Sequence, residues 1–159
     1  MTKQTKELET LWWDWLATSE RLTRTLHEQT VALTLRQVER VERLQPEMDA
    51  LMQRMAEIDD LAVAAAQKLA GELGSQPNLR SLVAALEKAD AQQVQALANR
   101  VIVAGHNVHE IIAKNKALIE NELQYVNGTV ALIVKEGIDS QSSYKGRPRQ
   151  ASLMLDHAA

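Results

Sequence analysis

Residues 90–136 carry an unbroken helical pattern, and a helix of that length constrains everything else the chain can do. At a rise of about 1.5 Å per residue it would span ~70 Å. A 159-residue chain folded as a ball would be only ~30 Å across on the usual scaling of the radius of gyration. The sequence therefore predicts an all-α, elongated antiparallel helical bundle of about four helices, one of them very long and C-terminal, with a mobile tail after it. Residues 1–137 read as the helical bundle and coiled-coil domain, and 138–159 as a flexible C-terminal tail. Shapes of this kind offer surface to partners and seldom enclose a pocket for chemistry.

The helix boundaries follow from periodicity and from breakers. A first helix is expected from near Thr5. At ~100° per residue, Leu8, Leu11, Trp12, Trp15, Leu22, Leu26 and Leu33 fall in one stripe. Thr30–Gln45 carries no firm signal. Pro46 inside a helix would remove a hydrogen bond and clash with the preceding turn, so it is placed in the first turn of a second helix over Glu47–Leu73. Met48, Leu51, Met52, Met55, Ile58, Leu61 or Ala62, Ala65, Leu69 and Leu73 then point inward. Gly71 and Gly74 act as stop signals before a loop at Ser75–Asn78. Asn78 can cap a short third helix over Leu79–Lys88, and Asp90 can cap the fourth. Gly137 supplies the left-handed turn that ends it.

The fourth helix carries two apolar rows. Val94, Leu97, Val101, Gly105, Val108, Ile112, Ile119, Leu123, Val126, Val130 and Ile133 form one. Ile111, Leu118, Tyr125 and Leu132 form a second, repeating every seven residues about 100° away in the C-terminal half. One row is needed to pack on the first two helices. The other either meets a further helix of the same bundle or forms a docking groove for a partner helix. Trp13 poses the same question, because it points roughly 140° away from Leu8 while Trp12 and Trp15 lie on the stripe. It is either covered by a neighbouring element or exposed, and is a candidate partner contact, tryptophan being enriched among residues that dominate interface energy.

Chemistry finds little foothold. There is no Cys, hence no disulfide, thiolate nucleophile or cysteine metal site. His106, His109 and Glu110 share helical spacing but lack the remaining ligands a metal needs, and read as solvated surface. His106 as a phosphotransfer residue wants a nearby Lys, and Lys114 is two turns away. No glycine-rich phosphate loop or Ser-His-Asp pattern is visible. No catalytic residue, cofactor or metal site is assigned, and the chain is not expected to be an enzyme. A net charge of −3 is too mild to imply nucleic acid, and Lys145, Arg147 and Arg149 form only a small basic cluster. No apolar run approaches the ~20 residues of a membrane span, so no membrane insertion is expected. The N-terminus lacks a signal-peptide core, and a cytoplasmic protein is the default.

One stretch is more specific. Asn115, Leu118 and Ile119, then Leu123, Tyr125 and Val126, then Tyr144 and Gly146 in the polar tail, together resemble the FlgN family of flagellar type III export chaperones. The leucine-rich first helix around Leu26 and the amphipathic second helix around Met48–Leu51 are similar to that family's first two helices. The resemblance covers nearly the whole chain, most of it through helical patterning. It implies a protein that binds the C-terminal segments of the hook–filament junction proteins FlgK and FlgL before export, and delivers them to the flagellar export gate. On this expectation the client surface is Ile111, Asn115, Leu118, Ile119, Leu123, Tyr125, Val126, Val130 and Leu132. Tyr144, Leu153 and Leu155 in the tail would order with the client or touch the export gate. The alternative from another class is a self-associating helical coiled-coil adaptor that uses the second row as a homodimer seam. The sequence leaves the oligomeric state open.

Overall fold

The computed structural model describes residues 1–135, without the side chains of Tyr125, Val126, Thr129, Val130 and residues 132–135. Among the described residues there are four helices and no strand: α1 (Lys3–Thr34), α2 (Val38–Leu73), α3 (Leu79–Ala85) and α4 (Lys88–Lys135). The chain is all-α, as its periodicity predicts. The proposed end of the long helix at Gly137, and the tail with Tyr144, Leu153 and Leu155, lie outside the described residues.

α1 starts two residues earlier than expected because Thr2 caps it. The Thr2 hydroxyl oxygen accepts from the Thr5 amide at 3.2 Å, satisfying one of the donors a helix start leaves open. Along α1 the hydroxyls of Thr10, Thr18, Thr23 and Thr34 donate to carbonyls one turn back. Such back-bonding, with the β-branched propensity of Thr, gives α1 a weak intrinsic preference for helix. Its stability therefore rests on the buried stripe of Leu8, Trp15, Leu22 and Leu26, each large side chain contributing about 1.5–3 kcal/mol on burial.

The segment without a firm sequence signal contains the α1–α2 turn. The Gln37 amide donates to the Ala32 carbonyl at 2.8 Å and the Arg36 amide to Leu33 at 3.2 Å. This is the double bond pattern that closes a helix around a left-handed residue, and Arg36 is that residue, at φ 55°. Glycine usually marks such a position, and its absence hid the turn. α2 then begins at Val38, not Glu47, and Pro46 lies inside it, which corrects the first-turn placement. The expected breakage does not occur because Leu44 and Met48, on either side of the proline, are both buried. Pro46 itself is exposed, as is Glu42, the residue whose carbonyl loses its amide partner.

At the other end of α2, Gly71 stays inside the helix, and Gly74 alone makes the stop, at φ 62° with the Ser75 amide bonded back to Ala70 at 3.0 Å. Asn78 caps α3 as expected, its side-chain oxygen accepting from the Ser81 amide at 2.9 Å. α3 ends at Ala85, short of Lys88. Asp90 is not the cap of α4 but sits in its first turn, where a carboxylate complements the helix dipole. Its carboxylate lies 3.5 Å from the Met1 amino group.

The described chain forms two compact units. The first comprises Met1–Arg24 and Ala50–His109. In it α1 and α2 run antiparallel, with Arg54 paired to Asp14 at 2.7 Å, and α4 runs alongside α1 in the same direction. Leu8, Ala62, Ala65, Leu69, Ala70 and Leu82 make one buried cluster, with Leu11, Trp12, Ala66 and Leu73 packed on it. Ala62 is the inward residue of the Leu61/Ala62 pair, and Leu61 is exposed. Trp15 packs over Gly105, and a methyl group added there would meet its ring edge at 3.7 Å, an ordinary van der Waals contact. The second unit takes Thr25–Asp49 and α4 from Glu110 onward. Among its described residues, Leu26, Ala32, Leu44, Met48 and Ile119 are the buried apolar ones.

Candidate functional site

Within the second unit the site is built on a buried polar knot between α1 and α4. Asn115 is completely buried. Its amide nitrogen donates to the Leu26 carbonyl at 3.0 Å and to Gln29 Oε1 at 2.8 Å, and its Oδ1 accepts from the Thr30 hydroxyl at 2.6 Å. Both amide hydrogens and the oxygen are thus occupied, which an amide in a dry interior requires. A satisfied buried Asn in a helix seam fixes register, since sliding one helix by a turn would strand its donors. Two residues past the α1 terminus at Thr34, Arg36 pairs with Glu122 at 3.1 Å, so the hairpin turns back beside Glu122. α4 continues to Lys135, thirteen residues beyond Glu122.

The residues that sequence reasoning assigned to this surface separate into groups. Ile111, Leu118 and Leu123 are half-buried, each presenting part of an apolar side chain to solvent. Asn115 and Ile119 are buried at 0% and 7% exposure, which takes them off the accessible surface of the chain. Tyr125, Val126, Val130 and Leu132 lie on α4, but their side chains are outside the described set, as are Tyr144, Leu153 and Leu155 altogether. Sequence reasoning missed Val31, Leu35 and Val38, which are exposed at 46%, 59% and 66% around the α1–α2 turn. Val31 lies in the last turn of α1, Leu35 just past its end and Val38 at the start of α2, so no single helical period links them, and the group was unreadable while the segment had no assigned structure.

In the first unit Trp13 is 52% exposed, so it is not sealed by a neighbour. The Arg100 guanidinium lies 5.5 Å from its ring centroid, within the range of a cation–π attraction. His106, His109 and Glu110 are exposed. Among the described residues, no three His, Asp or Glu side chains are gathered as metal ligands would be. Asp59 is a titratable group with a shifted equilibrium: partial withdrawal of its carboxyl from water, and then the neighbouring Asp60 charge, raise its pKa above the ordinary 3.8. Among the described residues, no helix is long and apolar enough to cross a membrane.

No curated protein and no solved structure matches the chain. The family model described as FlgN protein matches residues 1–150. That span takes in all four helices, the Asn115 knot and the turns of α4 beyond the hairpin. On that match the chain belongs to the FlgN family of flagellar export chaperones.

Proposed function

We propose that this chain is a cytoplasmic type III export chaperone that holds the C-terminal segments of the hook–filament junction proteins FlgK and FlgL and delivers them to the flagellar export gate. The observation that carries this reading is the overrun of α4. The hairpin turns back beside Glu122, while α4 goes on to Lys135 with Leu123, Tyr125, Val126, Val130 and Leu132 in its sequence. Ile111 and Leu118 lead into this stretch half-buried. A client segment with its own apolar stripe would pack along these turns helix to helix. Such a segment, alone, exposes apolar surface that invites aggregation. Because it orders only on binding, the complex stays releasable at the gate. Asn115 and Ile119 act in this reading from behind, holding α4 in register while Ile111, Leu118 and Leu123 meet the client. Tyr144, Leu153 and Leu155 extend the contact to the client or the gate.

Co-purification tests it. Full-length junction proteins should be retained by this chain, and the same proteins truncated at their C-termini should be lost. Retention of the truncated forms at undiminished yield would overturn the reading. A stable homodimer by light scattering that buries Leu118, and that client does not displace, would instead establish the self-associating adaptor.

A further inference from the structure

The first unit carries a second surface that the client reading does not use. Trp13 stands out of it as a ridge between two open hollows of about 450 and 300 Å³, both of which it lines together with Arg100. Leu16, Ala17 and Ala104 line the larger, and Ala96 and Leu97 the smaller. Three of these five are alanines, so a helix laid over the α1/α4 groove could bring its backbone close, as small residues at a packing contact allow.

Charge is ordered along the same line. Glu9 flanks the smaller hollow, Arg100 lies over Trp13 at the middle, and Glu20 flanks the larger. Among the described residues no carboxylate pairs with Arg100, so its forked donors are available to a ligand. Glu20 is bridged to Arg24 at 3.1 Å, but both side chains are largely exposed, and such a pair is easily exchanged. The surface therefore reads acid, guanidinium over indole, acid. A second copy of this chain fits poorly: a twofold axis at Trp13 would set one Arg100 against the other. A small polar ligand fits no better, since the hollows are open and split by the Trp13 ring.

We propose that this face docks an amphipathic helix from another protein, bearing an acidic residue for Arg100, a basic residue at each end for Glu9 and Glu20, and two apolar side chains that fill the hollows astride Trp13. Glu9 lies four residues before Trp13 and Glu20 seven after it. The complementary helix is then basic, apolar, acidic, apolar, basic at i, i+3, i+4, i+7 and i+11, all on one face.

The test uses the full chain and two labelled alanine-based helical peptides. One carries Lys, Leu, Asp, Leu, Lys at those positions; the other carries Glu, Leu, Lys, Leu, Glu. Fluorescence anisotropy is expected to show the first bound at least about tenfold more tightly, with Trp13→Ala removing at least about tenfold of that affinity. Arg100→Glu should invert the preference between the peptides. Both residues are exposed, so circular dichroism should show each variant as helical as the parent. Leu118→Ala should leave the preference unchanged, which separates this surface from the client surface. Equal affinity for the two peptides, absence of binding, or indifference to Trp13→Ala would each overturn the proposal. So would sedimentation showing that Trp13→Ala converts a dimer of this chain to monomer.

Discussion

Two glycines three residues apart show how far local chemistry decides outcomes at single positions. Gly71 lies inside α2 and Gly74 at its left-handed end, at φ 62°, and a methyl group added to either meets nothing within 4 Å. Packing is thus removed as a variable and only backbone preference remains. Gly71→Ala is expected to stabilise by about 0.5–1 kcal/mol, since glycine in a helix interior forfeits that much relative to alanine. Gly74→Ala is expected to destabilise by about 1–2 kcal/mol, the cost of a β-carbon in the left-handed region. Urea titrations of the two variants should move the midpoint in opposite directions. Asp59 gives the pH counterpart. Its folded pKa is raised above 3.8, so the folded chain holds that proton more firmly than the unfolded one. The stability this brings is complete below 3.8 and is lost as pH rises through the folded value. At neutral pH the ionised carboxylate, partly desolvated and beside Asp60, is a liability. Asp59→Asn, nearly equal in helix propensity, should melt higher than the parent at pH 7, with the gap closing as pH falls toward 4. A gap that persists in acid would mean the gain has another origin.

At the scale of elements, the sequence was readable where one residue decides and opaque where distant residues decide together. The Asn78 cap and the Leu8–Leu26 stripe needed only local spacing, and both are present. Pro46 misled because its local effect is real, yet the burial of Leu44 and Met48 on either side outweighs one lost hydrogen bond. The α1–α2 turn was invisible because Arg36, not glycine, occupies its left-handed position. The Asn115 knot joins residues 85 to 89 positions apart, and no periodicity could pair them. The same holds for Arg100 over Trp13. For α4, the two-row pattern does carry an expectation. If the second row is an interface, Leu118→Ala and Tyr125→Ala should each weaken client binding by more than about 1 kcal/mol while the melting temperature of the free chain holds. Unchanged client affinity with a melting temperature several degrees lower would make the row part of the core. Titration calorimetry beside a thermal melt distinguishes the two.

The described chain has two packing units, and α1, α2 and α4 each contribute residues to both. The unit boundaries fall at Arg24/Thr25 in α1, Asp49/Ala50 in α2 and His109/Glu110 in α4, and each helix runs on through without a break. A helix gains one hydrogen bond per residue once nucleated, so ending three helices at the boundary would sacrifice backbone bonds at three places and require renucleation on refolding. That opposes independent melting, although each unit has its own buried apolar residues. Leu69→Ala tests which influence wins. Leu69 is fully buried in the first unit, and truncating such a residue costs about 2–5 kcal/mol. If the continuous helices couple the units, amides around Asn115 in the second unit should exchange with solvent faster in the variant, by the factor corresponding to the global loss. If the units open separately, protection should fall only around Leu69 and Leu82, and the amides near Asn115 should exchange as in the parent. Hydrogen exchange resolved by residue reads both regions in one experiment. The first outcome is expected, because α1, α2 and α4 are each continuous across their boundaries, and breaking them there forfeits backbone hydrogen bonds that no local opening recovers.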